Sequence, residues 1–326
     1  MFEMVVICCK GGDNVIITIT LNPAMDKVLI LKDFSLNITN RIQEQFTCIG
    51  GKGTHISINL SLLGIRSTAI GVVMGDTGEK ILHSLKSMDI DVQFIKLAEG
   101  ESRTNYVVVD DEGNCTLIAE KGQLMSQQVI DQLLFLYASK VGKDDIVVIS
   151  GDASNQSNTN LQDTIMDIAA QKGARVCIDA SGEHLKAAIN KRPFLIKPNM
   201  DELSKLLDRS IKTEKEILAA IKELYQQYGI ANIMVSCGED GSYFCSEGAF
   251  YRIIAPKIQA KNTVGCGDAV VSGLLAGIEE RLPIELCLKR ASAIAAATAM
   301  DKSTVGFDIS ILDELAQRVI VQPIPL

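Results

Sequence analysis

Asn262-Thr263-Val264-Gly265-Cys266-Gly267-Asp268-Ala269-Val270-Val271-Ser272-Gly273 reads as a glycine turn running into an apolar helix, with one carboxylate where the helix begins. Gly265 and Gly267 lack Cβ atoms, so the backbone can curl there and bring several N–H groups close to a ligand. The helix that follows starts with unpaired N–H groups and the positive end of its dipole, which favour an anion. Asp268 would stand beside that anion hole, placed to accept a proton from an attacking hydroxyl. Holding charge, orienting an acceptor and taking its proton are what phosphoryl transfer requires. The plainer reading of the same residues is an acid-capped helix after a glycine loop. The rest of the chain decides between them.

From Val15 onward, apolar strand-like runs alternate with amphipathic helical patterns. Strands are expected at 15–21, 67–73, 145–150, 174–180, 194–198 and 232–236, each apolar through its middle as in strands covered on both faces. Helices are expected at 54–63, 77–88, 161–172, 200–207, 214–228, 269–280 and 284–300. This alternation predicts an α/β fold, a doubly wound and mostly parallel sheet flanked by helices. The last helix is Ala-rich, which suits either close core packing or the wall of a flat ligand pocket. Two stretches, 27–48 and 93–121, carry strand signals with no helix between them. Within the second, Tyr106-Val107-Val108-Val109 and Cys115-Thr116-Leu117-Ile118 flank the hairpin turn Asp110-Asp111-Glu112-Gly113-Asn114. Four short strands from these stretches would form a small separate sheet, which must cover something. It reads as a lid over a site, a homodimer contact, or both.

The chain has 326 residues, 47% of them apolar, enough for a substantial core in a single domain over 15–326. Aromatics at 5% without Trp, and a net charge of −8, argue against a nucleic-acid partner. The nine cysteines are odd in number and form no C-x-x-C pair, which fits free thiols in a reducing cytoplasm. No apolar run approaches the ~20 residues that would span a membrane. Residues 1–14 read as an N-terminal extension. Lys10-Gly11-Gly12-Asp13 is what a purine-rich ribosome-binding sequence would encode, and Val15 could correspond to a GTG start, which leaves open whether the extension belongs to the native protein.

Two further motifs precede the opening one. Asn22-Pro23-Ala24-Met25-Asp26 follows the first strand, and Asp26 is expected at its carboxyl end, where open α/β sheets bind ligands. A carboxylate there can accept hydrogen bonds from vicinal sugar hydroxyls, or simply close a turn. Ile49-Gly50-Gly51-Lys52-Gly53-Thr54-His55 leads into a helix, with glycines for close approach and a cation. It is not a Walker A loop, because Phe46 and Gly53 occupy required Gly and Ser/Thr positions. Nor is 265–270 a dinucleotide fingerprint, since Val270 stands at the third Gly.

With these motifs in this order, the sequence resembles the phosphofructokinase B family of ribokinase-like sugar kinases, and within it the branch of 1-phosphofructokinases and tagatose-6-phosphate kinases. The resemblance rests on Asp26, Gly51-Lys52-Gly53, Arg103, Lys197-Pro198-Asn199 with Glu202, Ser236-Cys237-Gly238-Glu239-Asp240-Gly241 and Gly265-Cys266-Gly267-Asp268, and it covers nearly everything from Val15 on. It implies a ribokinase-like fold with a four-stranded β lid, and an ATP- and Mg²⁺-dependent kinase for a ketohexose phosphate. Asp268 would be the catalytic base, with Gly265, Cys266 and Gly267 forming the anion hole. Asp26, Gly51, Lys52 and His55 would face the sugar, and Arg103 would reach from the lid to its existing phosphate. Lys197, Ser236, Gly238, Gly241, Asn262 and Val264 would bind the nucleotide. Asn199 and Glu202, spaced i, i+3, would organise Mg²⁺ through water.

The chain also departs from the branch. His55 stands where the branch has Asn, Cys266 where it has Ala or Ser, and Ser150-Gly151-Asp152-Ala153-Ser154-Asn155-Gln156 where it has a Pro- and Gly-containing loop. The catalytic and metal positions are kept while substrate-facing ones differ. That leaves open a kinase for an unphosphorylated sugar or nucleoside, and a non-catalytic sugar-phosphate sensor. A nicotinamide oxidoreductase is disfavoured by the failed fingerprint.

Overall fold

The first strand, β1 (Ile16–Thr20), is buried along its whole length, as its unbroken β-branched sequence IITIT dictates. The computed structural model describes residues 15–151 and 160–325. The extension at 1–14 and the altered loop from Asp152 to Gln156 lie outside the described residues.

Pro23 interrupts the chain after β1, and it re-emerges as β2 (Ala24–Leu31), returning antiparallel as β3 (Ile42–Gly50). Asp26 therefore lies inside β2 and not in a loop at the end of the first strand. Next come α1 (Lys52–Leu62), β4 (Ser67–Met74), α2 (Gly75–Ser87), β5 (Asp91–Leu97), and the hairpin β6 (Arg103–Val109) and β7 (Cys115–Ala119). The alternating region follows: α3 (Gln127–Lys140), β8 (Ile146–Ser150), α4 (Leu161–Lys172), β9 (Arg175–Asp179), α5 (Gly182–Ile189), β10 (Leu195–Ile196), α6 (Met200–Leu206), α7 (Glu214–Tyr228) and β11 (Asn232–Ser236). The chain closes with β12 (Ser242–Ser246), β13 (Ala249–Ile254), α8 (Cys266–Glu279), α9 (Ile284–Ala299), α10 (Leu312–Arg318) and β14 (Ile320–Ile324).

The strands form two sheets. The large one runs β14-β13-β12-β11-β10-β9-β8-β1-β4-β5, parallel from β11 to β5 and antiparallel at the β12–β14 edge. The chain winds outward from β1 through β4 to β5, then returns to the other side of β1 at β8. That reversal leaves a crevice at the carboxyl end of β1, where doubly wound sheets place their ligands. The small sheet runs β3-β2-β6-β7. Its central pair, β2 and β6, is parallel, so the connection between them must cross over through the main sheet.

The stretch 93–97 is not part of the small sheet, contrary to expectation. It lies in β5, the edge strand parallel to β4, because the α2 crossover delivers it there. The run 194–198 yields only the two-residue β10, since Pro198 has no N–H for a ladder.

α8 is apolar over most of its surface and packs against α1 and α9. Small residues set its distance from α9: a Cβ at Gly273 would lie 2.7 Å from the Ala291 Cα, and one at Gly277 would lie 2.7 Å from the Cys287 sulfur. Ala291, at the head of the Ala-rich run, is thus spent on helix packing.

Candidate active site

Gly265 caps α8 in the left-handed region at φ +85°, and any Cβ there would fall 1.9 Å from the Thr304 carbonyl oxygen. Only glycine makes this turn. No side chain caps the α8 N-terminus; the Cys266 N–H reaches the Thr263 carbonyl at 3.4 Å, and the N–H groups beside it are open to an anion. Asp268 is in that first turn and 4% exposed. The Cys266 thiol beside it is pushed up to about 12 by burial and by the Asp268 carboxylate, so it stays S–H and acts as a small spacer.

Two ammonium groups converge on the same region. Lys197, buried in the loop after β10, lies against the α8 turn: a Cβ on Gly267 would be 3.2 Å from its Nζ. Lys197 also meets Asp179 Oδ1 at 3.2 Å, while Lys52, the first residue of α1, donates to Asp179 Oδ2 at 3.3 Å. Asp179 ends β9 and is almost fully buried. Burial alone would raise its pKa, but Lys197 and Lys52 outweigh that and hold the carboxyl well below the usual range. The Lys52 pKa is raised, chiefly by Asp179 and, against the cost of burial, by Asp268 and Glu202.

Asp26 faces the crevice from β2. Its Oδ1 accepts from Asn105 Nδ2 at 2.8 Å and its Oδ2 from Thr304 Oγ1 at 3.0 Å. His55, in the first turn of α1 and 4% exposed, lies between Asp26 and Asp268. Its Nδ1 is 2.7 Å from Asp268 Oδ2, its Nε2 is 2.9 Å from the Ile49 carbonyl, and Nε2 is 3.8 Å from Asp26 Oδ2. Gly51 caps α1 at φ +100°, packed against Thr20 and Pro23.

Arg103 opens β6 and is buried. Its Nε donates to the Asn22 carbonyl and its Nη1 to the Glu120 carbonyl, both at 3.0 Å. These bonds fix the plane of the guanidinium where the two sheets meet.

Asn199 and Glu202 form a capping box on α6: Asn199 Oδ1 accepts from the Glu202 N–H (2.8 Å) and Glu202 Oε2 from the Asn199 N–H (2.9 Å). Asn199, Ser236 and Gly238 line one cavity of about 440 Å³, with Tyr243 and Arg252 on its far wall. Gly241 follows in the same turn with φ +92°. Asn262 is fully buried and ties two loops together: its Oδ1 accepts from the Val264 N–H, and its Nδ2 donates to the Lys302 carbonyl. Val264 packs against Val28, Val107 and Val109 on the inner face of the small sheet.

Asp268, His55, Asp26, Lys52 and Lys197 thus share one crevice, with the Ser236–Gly241 loop beside it. Three members were not read from the sequence. Asp179 could have been, since an acid ending an apolar strand is the same signal that marked Asp26. Asn105, a polar residue within a β-branched strand, gave a weaker one. Thr304 gave none.

An open helix N-terminus with an acid in its first turn and ammonium groups alongside thus lies at the switch point of a doubly wound sheet that carries a small four-stranded sheet. The match to the pfkB family carbohydrate kinase description extends over residues 13–309, and the chain belongs to that family. It is 32% identical over 312 residues to a tagatose-6-phosphate kinase of Staphylococcus epidermidis, covering 93% of this chain and 98% of the relative. It is 33% identical over 287 residues to a 1-phosphofructokinase of Bacillus subtilis, covering 88% and 93%. The solved phosphofructokinase-2 of Escherichia coli in complex with substrates and products shares the fold, with a TM-score of 0.86 at 23% identity over 93% of this chain and 98% of that one. Among the described residues no helix is long and apolar enough to cross a membrane.

Proposed function

We propose that this carbohydrate kinase transfers a phosphoryl group from ATP to a ketohexose phosphate, giving the bisphosphate, with tagatose 6-phosphate, fructose 1-phosphate and fructose 6-phosphate as candidate acceptors. The activities named for the two relatives support the substrate class. The observation that carries the chemistry is Asp268 in the uncapped first turn of α8, with the Lys197 ammonium against Gly267. Asp268 accepts the proton of the attacking hydroxyl, and the N–H groups of Gly265, Cys266 and Gly267 take up the charge that develops. Asp26, held by Asn105 and Thr304, orients sugar hydroxyls with Gly51 and Lys52. Arg103 reads the substrate's existing phosphate.

ATP supplies the phosphoryl group, and Mg²⁺ screens the phosphate charge. The donors present suit both. The turn of Ser236, Gly238 and Gly241 borders the nucleotide, with the Asn262–Val264 loop opposite, and Lys197 faces the phosphates. The capping box engages one oxygen each of Asn199 and Glu202. The second Glu202 carboxylate oxygen is a hard donor suited to a metal that keeps most of its water. The lid closes over this region through its Val264 contact and excludes water. We place the enzyme in the cytoplasm, and as a homodimer through the exposed face of the lid.

ATP consumption against a panel of hexose phosphates and neutral sugars tests this. At least one ketohexose phosphate is expected to support turnover. Asp268→Asn is expected to lower kcat at least ~10²-fold with ATP affinity unchanged. Retained turnover in that variant overturns the assignment of the base, and turnover with neutral sugars alone overturns the substrate class.

A further inference from the structure

His55 uses both ring nitrogens within the protein. The Ile49 carbonyl can only accept, so Nε2 carries a hydrogen and donates it at 2.9 Å. Nδ1 then meets Asp268 Oδ2 at 2.7 Å, a contact that needs one proton between the two atoms. Asp268 Oδ1 has no hydrogen-bond partner among the described residues, and Asp26 Oδ2 is 3.8 Å from Nε2 on the other side of the ring. Two buried carboxylates therefore flank one imidazole.

We propose that His55 is a positioning residue for the base: an imidazolium proton on Nδ1 clamps Asp268 through Oδ2, leaves Oδ1 to meet the acceptor hydroxyl, and offsets the charge of two neighbouring acids. The proposal rests on the kinase reading for its use, though not for its geometry. During turnover the hydroxyl proton goes to Oδ1 and the Nδ1 proton stays in place. Once Nδ1 is deprotonated, its lone pair faces a carboxylate oxygen at hydrogen-bond distance, and the clamp fails.

The surroundings agree. The titratable groups around the ring are Asp268 and Cys266 on α8, Asp26 on β2, Cys48 and the outlying Glu44 on β3, and Lys52 on α1 itself. β1, β4 and β8, which also pack against α1, carry none. Burial alone would lower the His55 pKa, but the hydrogen bond and charge of Asp268, with the charge of Asp26, outweigh it and raise it above the ordinary value.

The chain has only three histidines, so ¹⁵N NMR of the ring nitrogens, assigned with His55→Asn, reads the clamp directly. His55 is expected to keep both ring protons to a pH above the ordinary imidazole range, and to lose this in Asp268→Asn. In kinetics, wild-type kcat is expected to fall as pH rises through the His55 titration while KM for ATP holds. His55→Asn, which retains a donor that does not titrate, should lack that alkaline limb. His55→Leu should lose part of the ~10²–10⁴-fold that a positioned base supplies, with His55→Asn recovering some of it at unchanged thermal stability. A neutral His55 at pH 7 overturns the proposal, and so does an alkaline limb that persists in His55→Asn. Absence of turnover on every sugar phosphate overturns the kinase reading instead, and the NMR titration then decides the clamp alone.

Discussion

Asp179 balances two ammonium groups on one buried carboxylate. Removing its charge leaves Lys197 buried without a counter-charge, which costs about 3–5 kcal/mol for a broken buried pair. Lys52 is 41% exposed on its side chain, so water screens most of its share. Asp179→Asn is therefore expected to destabilise the protein at neutral pH by roughly that amount, measured by urea unfolding. The pH dependence has a definite sign. The folded pKa of Asp179 is depressed, so its contribution is present above the unfolded value of about 3.9 and fades as pH falls below it. The gap between wild type and variant should narrow from about pH 5 downward, and a gap constant with pH would refute the ion-pair account. Asp268, Asp26 and the glycines were legible because a local motif announces each of them. Asp179 could be read as an acid ending an apolar strand, but its pairing with Lys52 and Lys197, 127 and 18 positions away, is carried by no local pattern. His55 was legible as a departure, but its engagement with Asp268 depends on the packing of α1 against α8.

At the scale of elements, the α8–α9 contact holds the Gly265–Asp268 turn from behind. Gly273→Ala would place a methyl 2.7 Å from the Ala291 backbone, and overpacking of this kind costs about 1–3 kcal/mol. A lower melting temperature, with kcat reduced because α8 carries Asp268, is the expected outcome. A variant as stable as wild type would show that the helices can part freely. Seven of the ten α-helices among the described residues were legible to within a few residues, and α4 and α7 have the bounds that their apolar periodicity predicts, whereas α3, α5 and α10 were not expected. Caps explain the sharp start of α7, where Thr213 and Glu216 form a capping box. β5 was misplaced because an isolated apolar strand does not say which sheet it joins. Only the direction of the preceding crossover settles that.

At the scale of the molecule, the small sheet has one face on Val264 and another turned to solvent. Ile118, which pairs with Tyr106 and so lies on the face opposite Val107, and Ile42, at the start of the edge strand β3, are each about half exposed. Burial of these side chains by a second copy is the basis of the proposed homodimer. Light scattering should give twice the chain mass, and Ile118→Glu should lower it to that of one chain without altering the circular dichroism. A wild-type mass of one chain overturns the dimer.

The parallel pairing of β2 with β6 has a consequence for how the chain assembles itself. Ala24 pairs with Arg103, and every residue between them must first be threaded through α1, β4, α2 and β5. The β2–β3 hairpin can form early, but it stays half-paired until about 80 residues later, when β6 arrives. Contacts of such separation slow folding, because loop closure comes before its reward. The lid is therefore expected to be the last part of the site to take shape on a ribosome, and an Asp26 without Asn105 beside it is the state that a nascent chain must pass through.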